Sequence, residues 1–484
     1  MSPPLVSSSP PARATLHARN DAHVTGAADA PAASASASAT APHVGIVGGG
    51  MLGAALALRL RDQGFKVTLI EAAPRLGGLA SPQTIGDVTW DRFYHVVLLS
   101  DSYLRELITQ LGLGDRLRWA TTRTGFYTRD GLYSLSSSLE FLRFPPLTLV
   151  DKARLAWTII HASRITDGAP LERIPATIWL ERHSGKRTLE RIWLPLLKAK
   201  LGDNYKRASA AFIWAIIARM YAARRSGLKR ELFGYVAGGY DAILSRLHHY
   251  LVERGVDLRC GRGATAVASA EGGGVDITIA GGQLLHVDHA VLTVPCPRVA
   301  ALCPQLTLAE RERLNAVVYQ GVACPSLLLE RPLANYYVTN ITEPSVPFTA
   351  VIEMTALVDP SMFGGRSLVY LPRYLAQQDA TWARSDADIV DESVTALEKM
   401  YPHFRRSQVI AWQVGRARDV LAVPTLDYSR TLLPALNTSV PNVFVVNSAQ
   451  IANGTLNVNE TLALAARQVE TLAPLMRTAA GSHQ

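Results

Sequence analysis

Cysteine is scarce in this chain, with four residues among 484 and no C-x-x-C pair or ligand-spaced cluster. This spacing argues against a disulfide scaffold and against a structural zinc site, so we expect reduced thiols, no metal site and a cytoplasmic protein. Long apolar runs are also missing. No stretch reaches the ~18 uninterrupted apolar residues of a spanning helix, and the nearest one, residues 211–223, is short and contains Arg219.

The two chain ends lack large apolar residues. Residues 1–42 are rich in Ala, Ser and Pro, and residues 33–40 are of low complexity. Such a segment buries too little surface to offset the entropy lost on ordering. It also lacks the apolar stretch of a secretory signal. We therefore predict a disordered tail over residues 1–42, and a second one over residues 476–484.

Acidic residues are nearly absent from one basic segment. Residues 186–230 hold twelve Lys or Arg against two acidic residues, which accounts for the whole net charge of +9. Trp193, Phe212, Trp214, Met220 and Tyr221 interleave with these charges. The pattern fits a solvated helical face, a peripheral contact with an anionic membrane, or a site for an anionic substrate. Nucleic acid is not favoured, because no recognisable binding motif accompanies the charge.

A strand, a glycine-rich turn, a helix and a second strand follow one another between residues 44 and 71. The glycines have G-x-G-x-x-G spacing, and the turn and first helical residues are Gly48, Gly50, Met51, Leu52 and Gly53. A helix N-terminus offers free N–H groups to phosphates. Glu71 ends the second strand 23 positions after Gly48, close to the roughly 20 expected for a carboxylate that binds a ribose hydroxyl. The pattern predicts a dinucleotide site, and the structural alternative is that the glycines serve packing alone.

The segment that follows narrows the cofactor. Arg75-Leu-Gly77-Gly78 resembles the extended fingerprint of the flavin amine oxidase, protoporphyrinogen oxidase and phytoene desaturase superfamily. The resemblance implies FAD, with this tail along the pyrophosphate. Segments 91–95, 193–200 and 364–370 look most like bacterial protoporphyrinogen-oxidase-like proteins of unassigned substrate.

Two later blocks resemble the family's returns into the cofactor domain. The first begins at Gly238 and continues as a predicted helix over 241–253 and strands near 256–259 and 275–279. By the resemblance, the chain at Ala264 passes the adenine. The second holds a strand within 440–450 and a helix from about Asn459. Asn457 or Asn459 would cap this helix and face the flavin, or serve as caps alone.

The predicted fold class is α/β, with a discontinuous Rossmann-type FAD-binding domain and an inserted α+β substrate domain. The FAD-binding parts are 43–124, 232–300 and 416–475. The substrate domain comprises a helical basic insertion, 125–231, and a sheet, 301–415.

Catalytic candidates lie in the segment Asp91-Arg-Phe-Tyr-His95, where the family's chain passes under the flavin ring. His95 would tune the flavin or act as an acid or base near neutral pH, and the structural alternative is a core histidine. Tyr94 would line the ring or serve as a buried structural residue. Residues 423–459 supply Tyr428 and Phe444 as their only aromatics, which argues against a simple amine oxidase with an aromatic cage.

We expect an FAD-dependent oxidoreductase that transfers hydride from a small organic substrate, hydrophobic or anionic, to flavin. No second G-x-G-x-x-G follows a strand, so the acceptor would be oxygen, a quinone or another oxidant rather than a nicotinamide. The alternatives are a redox-neutral flavoenzyme similar to UDP-galactopyranose mutase and a non-catalytic flavoprotein. The sequence leaves the oligomeric state open.

Overall fold

A computed structural model describes residues 41–224 and 232–480 of the chain. The predicted N-terminal tail thus lies outside the described residues, except for its last two. Residues 225–231 of the basic segment also lie outside them. The described residues form twenty strands and fourteen α-helices, with short 3₁₀ turns between them.

The strands follow in chain order. They are β1 (His43–Val47), β2 (Lys66–Glu71), β3 (Pro82–Ile85), β4 (Val88–Asp91), β5 (Leu117–Thr121), β6 (Thr124–Thr128), β7 (Gly131–Ser134), β8 (Leu232–Val236), β9 (Asp257–Cys260), β10 (Ala264–Ser269), β11 (Val275–Ile279), β12 (Gln283–Val287), β13 (His289–Leu292), β14 (Tyr319–Leu329), β15 (Val338–Ile341), β16 (Ala350–Glu353), β17 (Ser367–Tyr370), β18 (Arg373–Leu375), β19 (Val409–Ala422) and β20 (Val443–Val445).

The helices surround these strands. They are α1 (Met51–Asp62), α2 (Ser102–Gln110), α3 (Ser138–Arg143), α4 (Leu149–Arg164), α5 (Ala176–Ser184), α6 (Lys186–Thr188), α7 (Leu194–Leu201), α8 (Ala210–Arg224), α9 (Gly239–Glu253), α10 (Cys296–Leu302), α11 (Leu308–Asn315), α12 (Asp386–Met400), α13 (Tyr428–Thr431) and α14 (Val458–Ala480).

A five-stranded parallel sheet joins the separated sequence blocks. Its order is β20-β13-β1-β2-β9, and every neighbouring pair in it is parallel. Val44, Ile46, Val67 and Leu69 are fully buried in it, as expected for a sheet covered on both faces. The predicted α/β fold class with a parallel Rossmann-type sheet is confirmed.

A second, eight-stranded sheet carries the other half of the fold. Its order is β18-β14-β17-β16-β15-β6-β7, with β19 paired to β14. All eleven residues of β14 are buried at its centre. The sheet includes β6 and β7, so the first insertion is not purely helical as predicted. It also includes β19, which continues to Ala422 past the predicted boundary at 415, because this strand pairs with β14 over ten registered positions.

Helices from the first insertion form a separate apolar core. α4, α5 and α8 pack on one another around buried residues that include Leu180, Phe212 and Ile217. A smaller antiparallel sheet, β10-β11-β12, packs beside the parallel sheet. The parallel sheet and α1, α9 and α14 share the largest core.

The C-terminal helix is longer than predicted. We expected residues 476–484 to be a disordered tail, but α14 extends to Ala480, and residues 481–484 lie outside the described residues. The prediction is wrong for residues 476–480 because Leu472, Ala473 and Met476 are fully buried against the core that contains α1. Apolar residues at helical spacing hold this end in place.

Candidate active site

The glycine turn lies between β1 and α1, at the carboxyl end of the parallel sheet. Gly48 has φ +113° and donates its N–H to the carbonyl of Ile70 at 2.9 Å, which closes the turn. The first helical bond runs from Ala54 to the carbonyl of Gly50. The N–H groups before it therefore lack intrahelical partners, as at any helix start.

The glycines of this turn serve different purposes. A Cβ added at Gly53 would lie 1.9 Å from the carbonyl oxygen of Gly48, and one at Gly48 would lie 2.5 Å from the Thr293 hydroxyl. A Cβ at Gly50 would meet nothing closer than the Gly78 Cα, at 3.9 Å. Packing within the protein thus explains why Gly48 and Gly53 are glycines, whereas the space above Gly50 is open.

Glu71 faces this turn from the end of β2. One of its carboxylate oxygens accepts from the N–H of Gly49 at 2.6 Å, and the other accepts from the N–H of Ala73 at 2.8 Å. These bonds fix the carboxylate beside the open space, and each oxygen retains a lone pair for a hydroxyl. Its predicted contact with a ribose stays a prediction.

The Arg-x-Gly-Gly tail lies against the glycine turn. The N–H of Gly77 donates to the carbonyl of Gly49 at 2.9 Å, and Gly78, with φ +57°, approaches Gly50. The Arg75 guanidinium instead donates to Asp241 at 2.7 Å and to Ser245 at 3.0 Å on α9. Arg75 therefore joins the tail to α9 in this structure.

Arg92 is a residue that sequence reasoning did not select. Its guanidinium donates to the carbonyl of Gly78 at 2.7 Å, and its buried Nε has no hydrogen-bond partner among the described residues. Burial lowers the pKa of Arg92. The neighbouring strand leaves room for it at Gly415, where a Cβ would lie 2.8 Å from the Arg92 side chain. A partly buried cation without a described acidic partner beside an open glycine turn is suited to an anionic ligand.

Asp91, the last residue of β4, connects α9 with the eight-stranded sheet. The Asp91 carboxylate accepts from the N–H of Tyr240 at 2.7 Å, in the first turn of α9. The hydroxyl of Tyr370, in the eight-stranded sheet, donates to the Asp91 carbonyl at 2.6 Å. Asp91 is thus a structural anchor that fixes the position of the turn.

His95 lies at the end of the same turn, in a small cavity. Its Nδ1 is 3.7 Å from the Asp91 carboxylate, and its ring centroid is 4.6 Å from that of Tyr240. Nδ1 is buried without a hydrogen-bond partner among the described residues. Tyr235 and Met354 complete the cavity wall. A purely structural histidine would bond its Nδ1 to a backbone group, and His95 has no such partner among the described residues.

Tyr94 points toward the eight-stranded sheet. Its hydroxyl is 3.2 Å from that of Tyr374, and the Lys200 ammonium lies 3.4 Å from the Tyr374 hydroxyl and 4.7 Å from its ring centroid. Burial, and then Tyr374, raise the pKa of Tyr94. Lys200 has no ion pair with a described carboxylate. Sequence reasoning missed this series of contacts because Tyr94, Tyr374 and Lys200 come from three distant segments of the sequence.

The remaining predicted cofactor residues have structural partners. Ala264 is buried at the start of β10. The Asn457 side chain accepts from the N–H of Glu460 at 3.0 Å and so caps α14. Asn459 accepts from the N–H of Leu104 at 3.2 Å and caps α2 instead. Tyr428 and Phe444 are buried core residues.

A family model described as flavin containing amine oxidoreductase matches residues 53–457. The chain belongs to this family. The flavin containing amine oxidoreductases use FAD, so this protein is an FAD-dependent oxidase or dehydrogenase, and the alternative of a non-catalytic flavoprotein is set aside.

Individual proteins are also similar to this chain in sequence or in fold. The chain is 25% identical to a carotenoid phi-ring synthase of Streptomyces griseus over 435 residues, covering 79% of this chain and 78% of that protein. It is 26% identical to a coproporphyrinogen III oxidase of Mycobacterium leprae over 308 residues, covering 59% and 67%. Reduced UDP-galactopyranose mutase has the same fold at a TM-score of 0.68 and 14% identity, covering 91% and 98%.

The residues of the glycine turn fit FAD. The open space above Gly50, the first-turn N–H groups of Met51, Leu52 and Gly53, and the unpaired Arg92 cation suit a dinucleotide pyrophosphate. When bound, FAD supplies the acceptor for a hydride from the substrate.

Two aromatic residues of the basic segment are buried, and its contact with a membrane or an anionic substrate stays a prediction. Phe212 and Trp214, which we expected to interleave with exposed charges, are buried in the core of α8. Arg219 is paired with Asp101 at 3.0 Å. Arg225, Lys229 and Arg230 lie outside the described residues. Among the described helices, none is long and apolar enough to cross a bilayer.

Proposed function

We propose that this flavoenzyme oxidises an organic substrate with a large apolar framework, and that the Tyr94–His95 turn holds the reacting part of that substrate. One observation carries the proposal. Arg92 of segment 91–95 contacts Gly78, which lies against the glycine turn. Tyr94 of the same segment contacts Tyr374 in the eight-stranded sheet. A group placed there touches both halves of the molecule.

The surroundings of His95 support an apolar substrate. Its cavity is lined mainly by aromatic and aliphatic side chains, among them Trp90, Tyr240 and Met354. His95 would accept or donate a proton at Nδ1, which has no hydrogen-bond partner among the described residues and lies 3.7 Å from the Asp91 carboxylate. Two relatives, named for a carotenoid and for coproporphyrinogen III, agree with such a substrate.

The cations indicate how acidic groups of a substrate would be held. Lys200 points its ammonium at Tyr374, next to Tyr94. A carboxylate at this place would find a cation and a phenol donor together. The substrate class is therefore hydrophobic, with room for acidic substituents.

The proposal is tested by anaerobic mixing of the purified protein with candidate substrates while flavin absorbance is recorded. A porphyrinogen or a carotenoid precursor is expected to bleach the flavin, and putrescine is not. Oxygen and a soluble quinone then distinguish the acceptor by the rate at which colour returns. Bleaching by putrescine alone would contradict the proposal.

A second candidate is a redox-neutral reaction on a sugar nucleotide. The observation that favours it is Lys200, which has no described carboxylate partner and lies beside the hydroxyls of Tyr374 and Tyr94, where it would suit a diphosphate. Activity on UDP-galactopyranose that needs prior flavin reduction and consumes no acceptor would support this candidate. Consumption of one acceptor per turnover supports the oxidase instead.

A further inference from the structure

An apolar surface lies on α3 and α4, far in sequence from the catalytic turn. It consists of six large side chains that we call the α3–α4 face: Leu139, Leu142, Leu149, Val150, Trp157 and Ile160. Their exposed fractions are 55%, 55%, 71%, 62%, 55% and 37%. On α4 the four members recur at spacings of about one and two helical turns, and the opposite side of the helix is buried at Lys152, Leu155, Thr158 and Ala162.

This exposure is concentrated rather than scattered. Sixteen large apolar residues are exposed in the described chain, and six of them fall between positions 139 and 160. Soluble proteins usually expose such residues singly. A concentration of exposed apolar side chains that includes Trp157 therefore marks a contact surface.

The charges around the face are mainly positive. Arg143, Arg154 and Arg164 are exposed on α3 and α4, whereas Lys186 and Arg187 of α6 are paired with Glu190 and Asp151. The acidic residues of these two helices are engaged locally. Asp151 is buried, accepts from the Thr148 hydroxyl at 2.6 Å and is paired with Arg187 at 3.6 Å, and the Glu140 carboxylate accepts from the N–H of Ser136 at 2.7 Å.

We propose that the α3–α4 face inserts into the headgroup region of an anionic phospholipid bilayer. An apolar face with Trp, bordered by Arg and Lys, is the pattern of a helix that lies in the membrane surface. The cations would meet anionic headgroups, while Leu149, Val150 and Trp157 enter the acyl boundary. A second copy of the chain is a poorer partner, since a two-fold contact would bring the like charges of both copies together.

This surface differs from the membrane contact expected over residues 186–230. The aromatic residues Phe212 and Trp214 of that segment are buried, whereas the α3–α4 face is free in the described chain. The inference does not depend on the identity of the substrate, although a bilayer would be the natural source of a hydrophobic one.

The test is flotation of the full-length, FAD-loaded protein with vesicles of phosphatidylcholine, alone or mixed with phosphatidylglycerol. We expect binding to the mixed vesicles, and weaker binding as salt is raised. The double variant Leu149→Glu/Trp157→Glu is expected to lower vesicle binding about tenfold or more. Leu284→Glu and Leu308→Glu are matched controls, because these residues are 59% and 66% exposed elsewhere.

Flavin absorbance of each variant shows that the protein remains folded and loaded, so loss of vesicle binding is separated from loss of the enzyme. The proposal is overturned if the wild type does not bind mixed vesicles, or if the double variant binds as well as the controls. It is also overturned if light scattering shows a wild-type dimer that the double variant abolishes, because the face would then be covered by a second copy.

Discussion

The guanidinium of Arg92 donates a 2.7 Å hydrogen bond to the carbonyl oxygen of Gly78. This bond connects the turn that carries Tyr94 and His95 with the turn that approaches Gly50. The N–H of Arg92 also donates to the carbonyl of Ser81 at 3.1 Å, so side-chain and backbone bonds together link the positions of the two turns. Five measurements follow from this arrangement and from the fold around it.

Gly50→Ala is expected to weaken FAD binding while the apoprotein keeps its stability. Gly50 has φ −67°, which alanine adopts readily, and the nearest atom to the new Cβ is 3.9 Å away. The Cβ would occupy the space left for the pyrophosphate, and we expect about a tenfold loss of affinity, or 1.4 kcal/mol. Titration of apoprotein with FAD, beside urea unfolding, measures both quantities.

Gly53→Ala is the matched control for this experiment. Its Cβ would lie 1.9 Å from the Gly48 carbonyl oxygen, so we expect destabilisation of about 1–3 kcal/mol or more in the apoprotein itself. Equal effects of the two variants on apoprotein stability would show that Gly50 serves packing as well.

Arg92→Met is expected to lower FAD affinity or the flavin midpoint potential. The variant removes a partly buried cation that has no described acidic partner. A charge-assisted contact is worth about 1.5–3 kcal/mol, and 1.4 kcal/mol corresponds to about 30 mV for a two-electron couple. A changed affinity places the cation at the pyrophosphate, and a changed potential places it at the flavin ring. Arg92→Lys should restore part of either effect. Wild-type values for both quantities in Arg92→Met would refute a cofactor role.

His95→Gln is expected to slow substrate-dependent flavin reduction by about 10²- to 10⁴-fold, the range for loss of a general acid or base. FAD content should be unchanged, because no bond joins His95 to the glycine turn among the described residues. Stopped-flow reduction over a range of pH is the measurement. A wild-type rate with a wild-type pH profile would leave His95 as a core residue.

Lys200→Met is expected to reduce affinity for substrates with carboxylates by about tenfold or more, since a hydrogen bond to a charged group contributes about 1.5–3 kcal/mol. Lys198→Met is the control, because Lys198 lies over the Tyr205 ring and not near Tyr374. Substrate binding to the oxidised enzyme is followed through the flavin spectrum. The idea fails if both variants bind acidic and neutral substrates alike.

The free energy of unfolding should decrease as the pH is lowered below the ordinary histidine pKa, in part because of His289. The buried His289 ring donates from Nε2 to the carbonyl of Met476 at 2.9 Å, and burial lowers its pKa below 6.5. Below pH 6.5 the unfolded chain binds a proton that the folded chain does not, so acid favours unfolding. His289→Gln is expected to flatten this dependence in urea unfolding between pH 8 and 5. His43 and His183 shift in the same direction, so the difference between the two proteins is the quantity to compare. Identical slopes would exclude His289 as a contributor.

Local sequence was sufficient for the cofactor turn. Gly53 has its role set by the nearby Gly48 carbonyl, and Glu71 follows at the end of the adjacent strand, whereas Gly48 also packs against the distant Thr293. The sequence also predicted α9 to within a few residues. The periodicity of apolar residues did not show which residues of α8 are buried, because that helix is apolar on nearly every side and has no distinct polar face.

The sequence by itself determined the β-α-β unit of the predicted dinucleotide site, because that motif depends mainly on neighbouring residues. Its resemblance to a family extended this to FAD and to the parallel sheet. Only the tertiary structure decided the neighbours of Arg92, since Gly78 and Gly415 are far apart in sequence. It likewise decided the contact of Lys200, Tyr374 and Tyr94, and the burial of Phe212 and Trp214. Long-range packing sets these environments, and no local pattern of residue types encodes them.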